Sequence, residues 1–224
     1  MDFKNLGFLD FREFLEIQNG LVDKRKLDEI ADTIIFAEHP TTISLGARSS
    51  GLQLAHLRYY SPYWLTQNGI PIVKTSRGGS LAVHGPGILG CYFIFKLKDL
   101  SCASRFFRSA QSLAKRTLTR ARIYADKLPD ELRTDQKEKT KYRGLWVMGD
   151  SSPRKIASMG VGVSRKVTSF GMNINVSPED WILRLVYPCG IREYELTSAA
   201  REGGNACVDF YIQNLIELAP QYLP

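Results

Sequence analysis

Long hydrophobic runs are missing from this chain. The longest, "ILGCYFIF" at 88–95, is strand length and falls far short of the roughly 20 residues that a membrane-spanning helix needs. Cysteine and histidine are also scarce. The four cysteines, Cys91, Cys102, Cys189 and Cys207, form no CxxC pair and have no histidine at ligand spacing. Four in 224 residues is too sparse for a disulfide scaffold. A metal centre and a disulfide-stapled fold are therefore both excluded as expectations. The first residues, "MDFKNLGFLDFREFLEIQ", mix acidic and basic side chains and lack the basic-then-apolar order of a secretory signal. The expectation is a cytoplasmic protein with no membrane partner. No internal repeat is visible.

What is present is enough apolar material for a core, with 44% hydrophobic and 11% aromatic residues in 224, and a single domain over 1–224 is expected. The formal net charge is +7, which favours an acidic partner without choosing its class.

Asp10 followed by Glu13 reads as a capping box opening a helix that runs to about Asn19 and Gly20, with a second helical segment beyond. "TIIFAEHP" (33–40) and "TTISLG" (41–46) read as two strands around a turn at Pro40, because β-branched and aromatic residues dominate them. "IPIVKTS" and "CYFIFKLKD" are further strands, flanking a glycine-rich segment over 77–90. Ser101 is placed to cap a long helix whose apolar residues, from Ala103 to Leu118, repeat at i, i+3, i+4 spacing. The charged stretch 127–144 reads as an exposed loop. "KIASMGVGVS" and "TSFGMNINVS" pair as a hairpin, and a helix closes the chain near 206–219. Strands and helices interleave without regular alternation, so the fold class is α+β: a mixed, largely antiparallel sheet with flanking helices in an α/β two-layer arrangement.

Three stretches carry candidate chemistry. "SRGGSLAVHGPGILGCY" (76–92) packs glycines, a proline, an arginine and a histidine between apolar strands. A hairpin loop explains the glycines, but not Arg77 and His84. Its single RGG is not the repeated, disordered kind that binds RNA, so no nucleic-acid partner is expected. In "RKIASMGVGVS" (154–164), Lys155 is either a solvated strand end or a desolvated amine able to act as a base or to stabilise a thiolate. In "RLVYPCGIRE" (184–193), Pro188 and Gly190 bracket Cys189, which is either an inert small side chain or a nucleophile presented at a turn. These residues by themselves leave both readings open.

Taken in order, "EHP" at 38–40, "RGG" with "HGPG" at 77–87, "KIASMGVGV" at 155–163, "GMNINV" at 171–176 and "PCG" at 188–190 resemble the lipoate-protein ligase B family, the octanoyltransferases. The resemblance runs from the first helix to "ELTSAARE" at 195–202.

It implies a catalytic domain of the biotin and lipoate protein ligase type, needing no cofactor. It also implies transfer of an octanoyl group from acyl carrier protein to a lysine of lipoyl-domain proteins, the 2-oxoacid dehydrogenase E2 subunits and the glycine cleavage H protein. Carried over, Cys189 is the nucleophile, acylated as a thioester, and Lys155 is its base. Arg77, Gly78, Gly79, Ser80, Leu81, Ala82, Val83 and His84 match substrate-binding positions, as do Ser158, Met159 and Gly160, and Gly171, Met172 and Asn173. His39 matches a histidine near the site. The chain departs from the family pattern at Ala82-Val83 (usually Thr-Tyr), Ile88 (usually Gln) and Phe170 (usually His). Two alternatives stay open: a relative that binds lipoyl domains or acyl carrier protein without transfer, and an ATP-dependent ligase on the same fold.

Overall fold

The computed structural model describes residues 1–47, 56–133, 142–149 and 152–224, with the side chain of Cys189 outside that description. A sheet of eight strands forms the centre. Its order is β1 (Asp2–Phe8), β2 (Thr33–Glu38), β6 (Ile88–Ile94), β10 (Val167–Asn175), β9 (Arg154–Ser164), β8 (Gly144–Val147) and β7 (Ala125–Asp126), with β11 (Glu195–Leu196) also paired to β9. Only the β1–β2 and β9–β11 pairs are parallel. The sheet is thus mixed and largely antiparallel, as the irregular order of elements requires. A smaller sheet places β3 (Thr42–Leu45) between β4 (Ile72–Lys74) and β5 (Leu81–His84).

Both faces of the large sheet are covered, and the period-2 alternation of its central strands shows how. In β2, Ile34 and Phe36 pack toward helices α3 (Ala103–Arg120) and α5 (Val208–Tyr222). Ile35 and Ala37 pack toward Phe11, Phe14 and Val22 of α1 (Phe11–Lys26). In β6, Leu89, Cys91 and Phe93 share the first face, and Tyr92 and Ile94 the second. A strand buried on both sides reads as a continuous apolar run, which is why "ILGCYFIF" looks as it does. The smaller sheet has its own core, where Ile43 and Val83 meet Ile182 and Leu183 of the short helix α4 (Asp180–Leu183).

Several boundaries differ from the sequence reading. The glycine-rich segment is not one loop. Leu81–His84 pairs with β3 as β5, and β6 begins at Ile88. The strand expected over 70–76 is confined to Ile72–Lys74. Asp99, not Ser101, starts the third helix: its carboxylate accepts from Ser101 N at 2.8 Å across a 3-10 turn, and α3 follows from Ala103. Strand β1 and the short helix α2 (Pro62–Gln67) had no expected counterpart. The closing helix runs over 208–222, its last turn holding Pro220. Of the charged stretch 127–144, expected as an exposed loop, residues 134–141 lie outside the described residues, and the rest is not simply exposed: Leu128 and Tyr142 are buried in one cluster with Trp146, and Gly144 opens β8. Cys207, just before the closing helix, is exposed.

The first helix is a single element. Asp10 caps it, with Oδ1 accepting from Arg12 N at 2.7 Å and Glu13 N at 3.4 Å, and it passes through Gly20 to Lys26. Nothing lies within 4 Å of where a Gly20 Cβ would sit. A helix-interior glycine costs backbone entropy without a packing return. Gly20→Ala is therefore expected to raise stability by roughly 0.5–1 kcal/mol, read by urea denaturation. An unchanged or lowered midpoint would mean that the helix breaks there in solution.

Candidate functional site

The site is built where the β4–β5 loop crosses between the two sheets. Gly78 O lies 2.6 Å from where a Cβ on Gly160 of β9 would stand, and Gly79 O occupies the space of a Cβ on Gly46. Glycine on both sides is what lets this backbone pass. The loop is tied to the end of β3 by Gly46 N donating to Ser80 O at 2.9 Å and Ala47 N donating to Arg77 O at 2.8 Å.

Arg77 turns inward and is 7% exposed. Its Nε and Nη2 donate to Ser44 Oγ at 3.1 and 2.9 Å, Nη2 also donates to Ser44 O at 2.6 Å, and Nη1 donates to Gly78 O at 3.1 Å. Burial pushes the guanidinium down to about 10, still well above neutral pH, so the group remains a cation in the wall of the site.

Ser44 links Arg77 to a histidine. His84 Nε2 lies 2.8 Å from Ser44 Oγ, and Nδ1 lies 3.2 Å from Asn173 Nδ2. The amide also donates to Val83 O at 3.3 Å, which makes His84 Nδ1 an acceptor and leaves the proton on Nε2. His39 lies behind, its ring centroid 5.7 Å from that of His84. Its Nδ1 donates to Leu9 O at 3.0 Å, and its Nε2 accepts from the Tyr92 hydroxyl at 2.8 Å. Burial holds both imidazoles well below their usual range, His39 at about 4, and for His84 the unfavourable charging of two adjacent imidazoles and the Arg77 cation add to the effect.

Lys155 enters from β9. It is 4% exposed, with Nζ 5.4 Å from the Trp146 ring centroid, a favourable place for a cation. Its backbone is clamped by the 195–202 segment: Thr197 N donates to Lys155 O at 2.9 Å, and Glu202 holds Arg154 through two bonds of 2.8 and 2.9 Å. Opposite, Pro188–Gly190 forms one 3-10 turn, with Gly190 at φ +72°. The bent backbone expected around Cys189 is present.

These elements enclose one cavity of about 200 Å³. Every residue from 77 to 84 lines it, as do Lys155, Ser158, Met159 and Gly160 from β9, and Phe170, Gly171, Met172 and Asn173 from β10. Pro188 and Tyr187 bring the cysteine turn to the same space. His39 is not in the lining; it supports Tyr92, which is. Phe170 sits at φ +58°, unusual for a bulky residue, and its N–H donates to the buried Gln18 Oε1 at 2.8 Å.

The sequence reading missed Tyr92, Arg143, Asn175, Val186, Tyr187 and Leu196 in the lining, along with the supports Ser44 and Gln18. Asn175 was legible as the i+2 neighbour of Asn173 on one face of β10. For Gln18, one polar residue on an amphipathic helix, no signal was available.

The model of the lipoyl protein ligase A/B catalytic domain matches residues 10–217. An octanoyltransferase of Syntrophobacter fumaroxidans is 35% identical over 88% of this chain and 78% of its own length. The chain belongs to the lipoate-protein ligase B family. A mitochondrial octanoyltransferase of Arabidopsis thaliana is 33% identical over 88% of the chain and 77% of its own length. Among solved structures, a bipartite lipoate protein ligase from Thermoplasma acidophilum, described with its E2 lipoyl domain, superposes with a TM-score of 0.68 at 12% identity. The match covers 100% of this chain and 84% of that one, and shows the fold. The lipoate-protein ligase B chain is accordingly an acyltransferase of the expected fold.

The neutral imidazole of His39 has a consequence for stability. An unfolded histidine takes its proton near pH 6.5, and the folded His39 does so only at about 4. The unfolded state therefore binds more protons in that window, and stability falls as pH drops from 6.5 to 4, by on the order of 3 kcal/mol for this group. His39→Asn is expected to flatten that part of the pH–stability curve, followed by denaturant unfolding at steps between pH 7 and 4. Parallel curves for the two proteins would mean that His39 titrates normally.

Proposed function

We propose that the chain moves an octanoyl group from the thioester of an acyl carrier protein onto a lysine of a lipoyl domain, carrying it as a thioester on Cys189 with Lys155 as proton partner. One observation carries this reading: Lys155 and Pro188, the residue before Cys189, line the same cavity. Leu81, Val83, Met159, Phe170 and Met172 give that space apolar walls, and Arg77 gives it a buried cation. Apolar walls suit an acyl chain. A buried cation favours both a thiolate and the oxyanion of a tetrahedral intermediate.

The chemistry follows from the residues. The Cys189 thiolate attacks the donor carbonyl carbon, the carbon–sulfur bond to the donor breaks, and Lys155 returns a proton to the departing thiolate. Exchange between two thioesters is nearly isoenergetic, so this step needs no ATP. The acceptor lysine then attacks the acyl-enzyme as a neutral amine and releases Cys189. A net charge of +7 would steer acidic carrier and lipoyl domains to the site. The E2 subunits of 2-oxoacid dehydrogenases and the glycine cleavage H protein are the proposed acceptors, and the cytoplasm is the proposed location. Among the described residues no helix is long and apolar enough to cross a membrane. Similarity to octanoyltransferases favours transfer over the binding-only and ATP-dependent readings.

Cys189→Ala is expected to abolish octanoyl transfer to a lipoyl domain while binding of acyl carrier protein persists. Lys155→Ala should slow transfer by about 10²–10⁴-fold without moving the melting temperature by more than a few degrees. A steady-state assay with octanoyl acyl carrier protein decides it. Substantial turnover by Cys189→Ala, or a near-normal rate for Lys155→Ala, would remove that residue from its role.

A further inference from the structure

The chain has three histidines. Both ring nitrogens of His39 and of His84 are bonded inside the protein, and burial keeps both rings neutral. The third, His56, is half-buried and stands beside the turn that carries Cys189. Leu57 pairs antiparallel with Val186, Tyr187 N donates to His56 O at 2.9 Å, and Arg58 N donates to Leu185 O at 3.0 Å. The histidine backbone is thus fixed to the strand-like segment that runs into Pro188.

Its ring is fixed as well. Nδ1 lies 3.0 Å from Ser80 Oγ, on the loop that lines the cavity. The other edge lies on Gly190: a Cβ there would be 2.5 Å from Cε1 and 2.6 Å from Cδ2, with Nε2 nearest of all. Gly190 leaves the room that this imidazole fills. The ring therefore spans from the substrate loop to the residue after Cys189, with Nε2 turned to the cysteine turn. Among the described residues, the charged side chains on the segments packed against it are Arg58, paired with Glu195 at 2.8 Å, and Arg192 over the Tyr187 ring, while Arg77 and Lys155 belong to the wall of the cavity that Ser80 also lines.

The proton count of the reaction shows what such a group is needed for. A resting thiolate–ammonium pair of Cys189 and Lys155 holds one proton. Acylation passes that proton to the departing donor thiolate and leaves Lys155 neutral. The acceptor lysine arrives at neutral pH as an ammonium and ends as an amide, so its nitrogen loses two protons. Lys155 takes one as the carbon–nitrogen bond forms and the Cys189 carbon–sulfur bond breaks, which restores the thiolate–ammonium pair. The second has no place in the pair.

We propose that His56 accepts this second proton, converting the acceptor ammonium into the attacking amine and passing the proton to solvent. The proposal rests on Cys189 carrying the acyl group. It assigns His56 to the transfer step and not to acylation, where the pair is sufficient.

The test separates the two steps. Parent, His56→Gln and His56→Ala are acylated with octanoyl acyl carrier protein, then mixed with a lipoyl domain by rapid quench from pH 6.5 to 9.5, with both steps followed by intact mass. His56→Gln is expected to form the acyl-enzyme within twofold of the parent rate. It should transfer the acyl group at least tenfold more slowly at pH 7, with the defect shrinking toward pH 9.5 as the amine deprotonates unaided. Added imidazole should restore part of the rate in His56→Ala. Normal transfer, or a defect equal at every pH with no imidazole rescue, would overturn the proposal by making His56 dispensable or only structural. If the parent forms no acyl-enzyme, the Cys189 assignment fails first, and this inference with it. Should His56→Gln melt early, His56→Asn is read by the same pH ratio.

Discussion

The backbone of residues 76–79 reaches strand β9 only because neither Gly160 nor Gly46 has a side chain in its path. That close approach brings the small sheet onto the large one, and the cavity forms along the joint. It also buries the Arg77 guanidinium against Ser44 and two backbone carbonyls. A buried cation held by neutral oxygens is a source of positive potential that nothing at its own position cancels. Its effect is visible on His84, kept neutral partly by that charge.

In the cavity wall and just behind it, the interior polar groups form a connected set. Arg77, Ser44, His84 and Asn173 are joined by hydrogen bonds, as are His39 and Tyr92, and the two histidine rings meet edge to face. Such a set fixes the orientation of each member, because every alternative leaves a buried donor or acceptor unpaired. The histidines of "EHP" and "HGPG" are therefore held with fixed tautomers, His84 in the cavity lining and His39 behind it. The proposed reacting residues come from other segments, Lys155 from β9 and Cys189 from the 188–190 turn.

The sequence was most legible where one local rule decided the outcome. The helix cap at Asp10, the β9–β10 pair and the turn around Cys189 were each set by neighbours in the chain. Asp10 caps the helix, although among the described residues no return bond from Glu13 completes a capping box, and the other two stand as read. The ordered motifs located most of the cavity lining for the same reason, since each motif is one loop or strand end. What was not legible came from partners distant in sequence. Leu81–His84 is a strand because β3 lies beside it, and β1 exists because β2 offers an edge. Gln18 matters only because β10 turns Phe170 toward it, 152 residues away. His56 gained meaning only when the 185–187 segment was seen to hold it beside Gly190.

The central claim is that the acyl group rests on the cysteine of the bent 188–190 turn. Peptide mapping after brief exposure to octanoyl acyl carrier protein, with no acceptor present, tests it most directly. A single octanoyl adduct, labile to hydroxylamine, is expected on the peptide containing Cys189. An adduct on the exposed Cys207 or on Cys102 instead, or a hydroxylamine-stable adduct on Lys155, would contradict it.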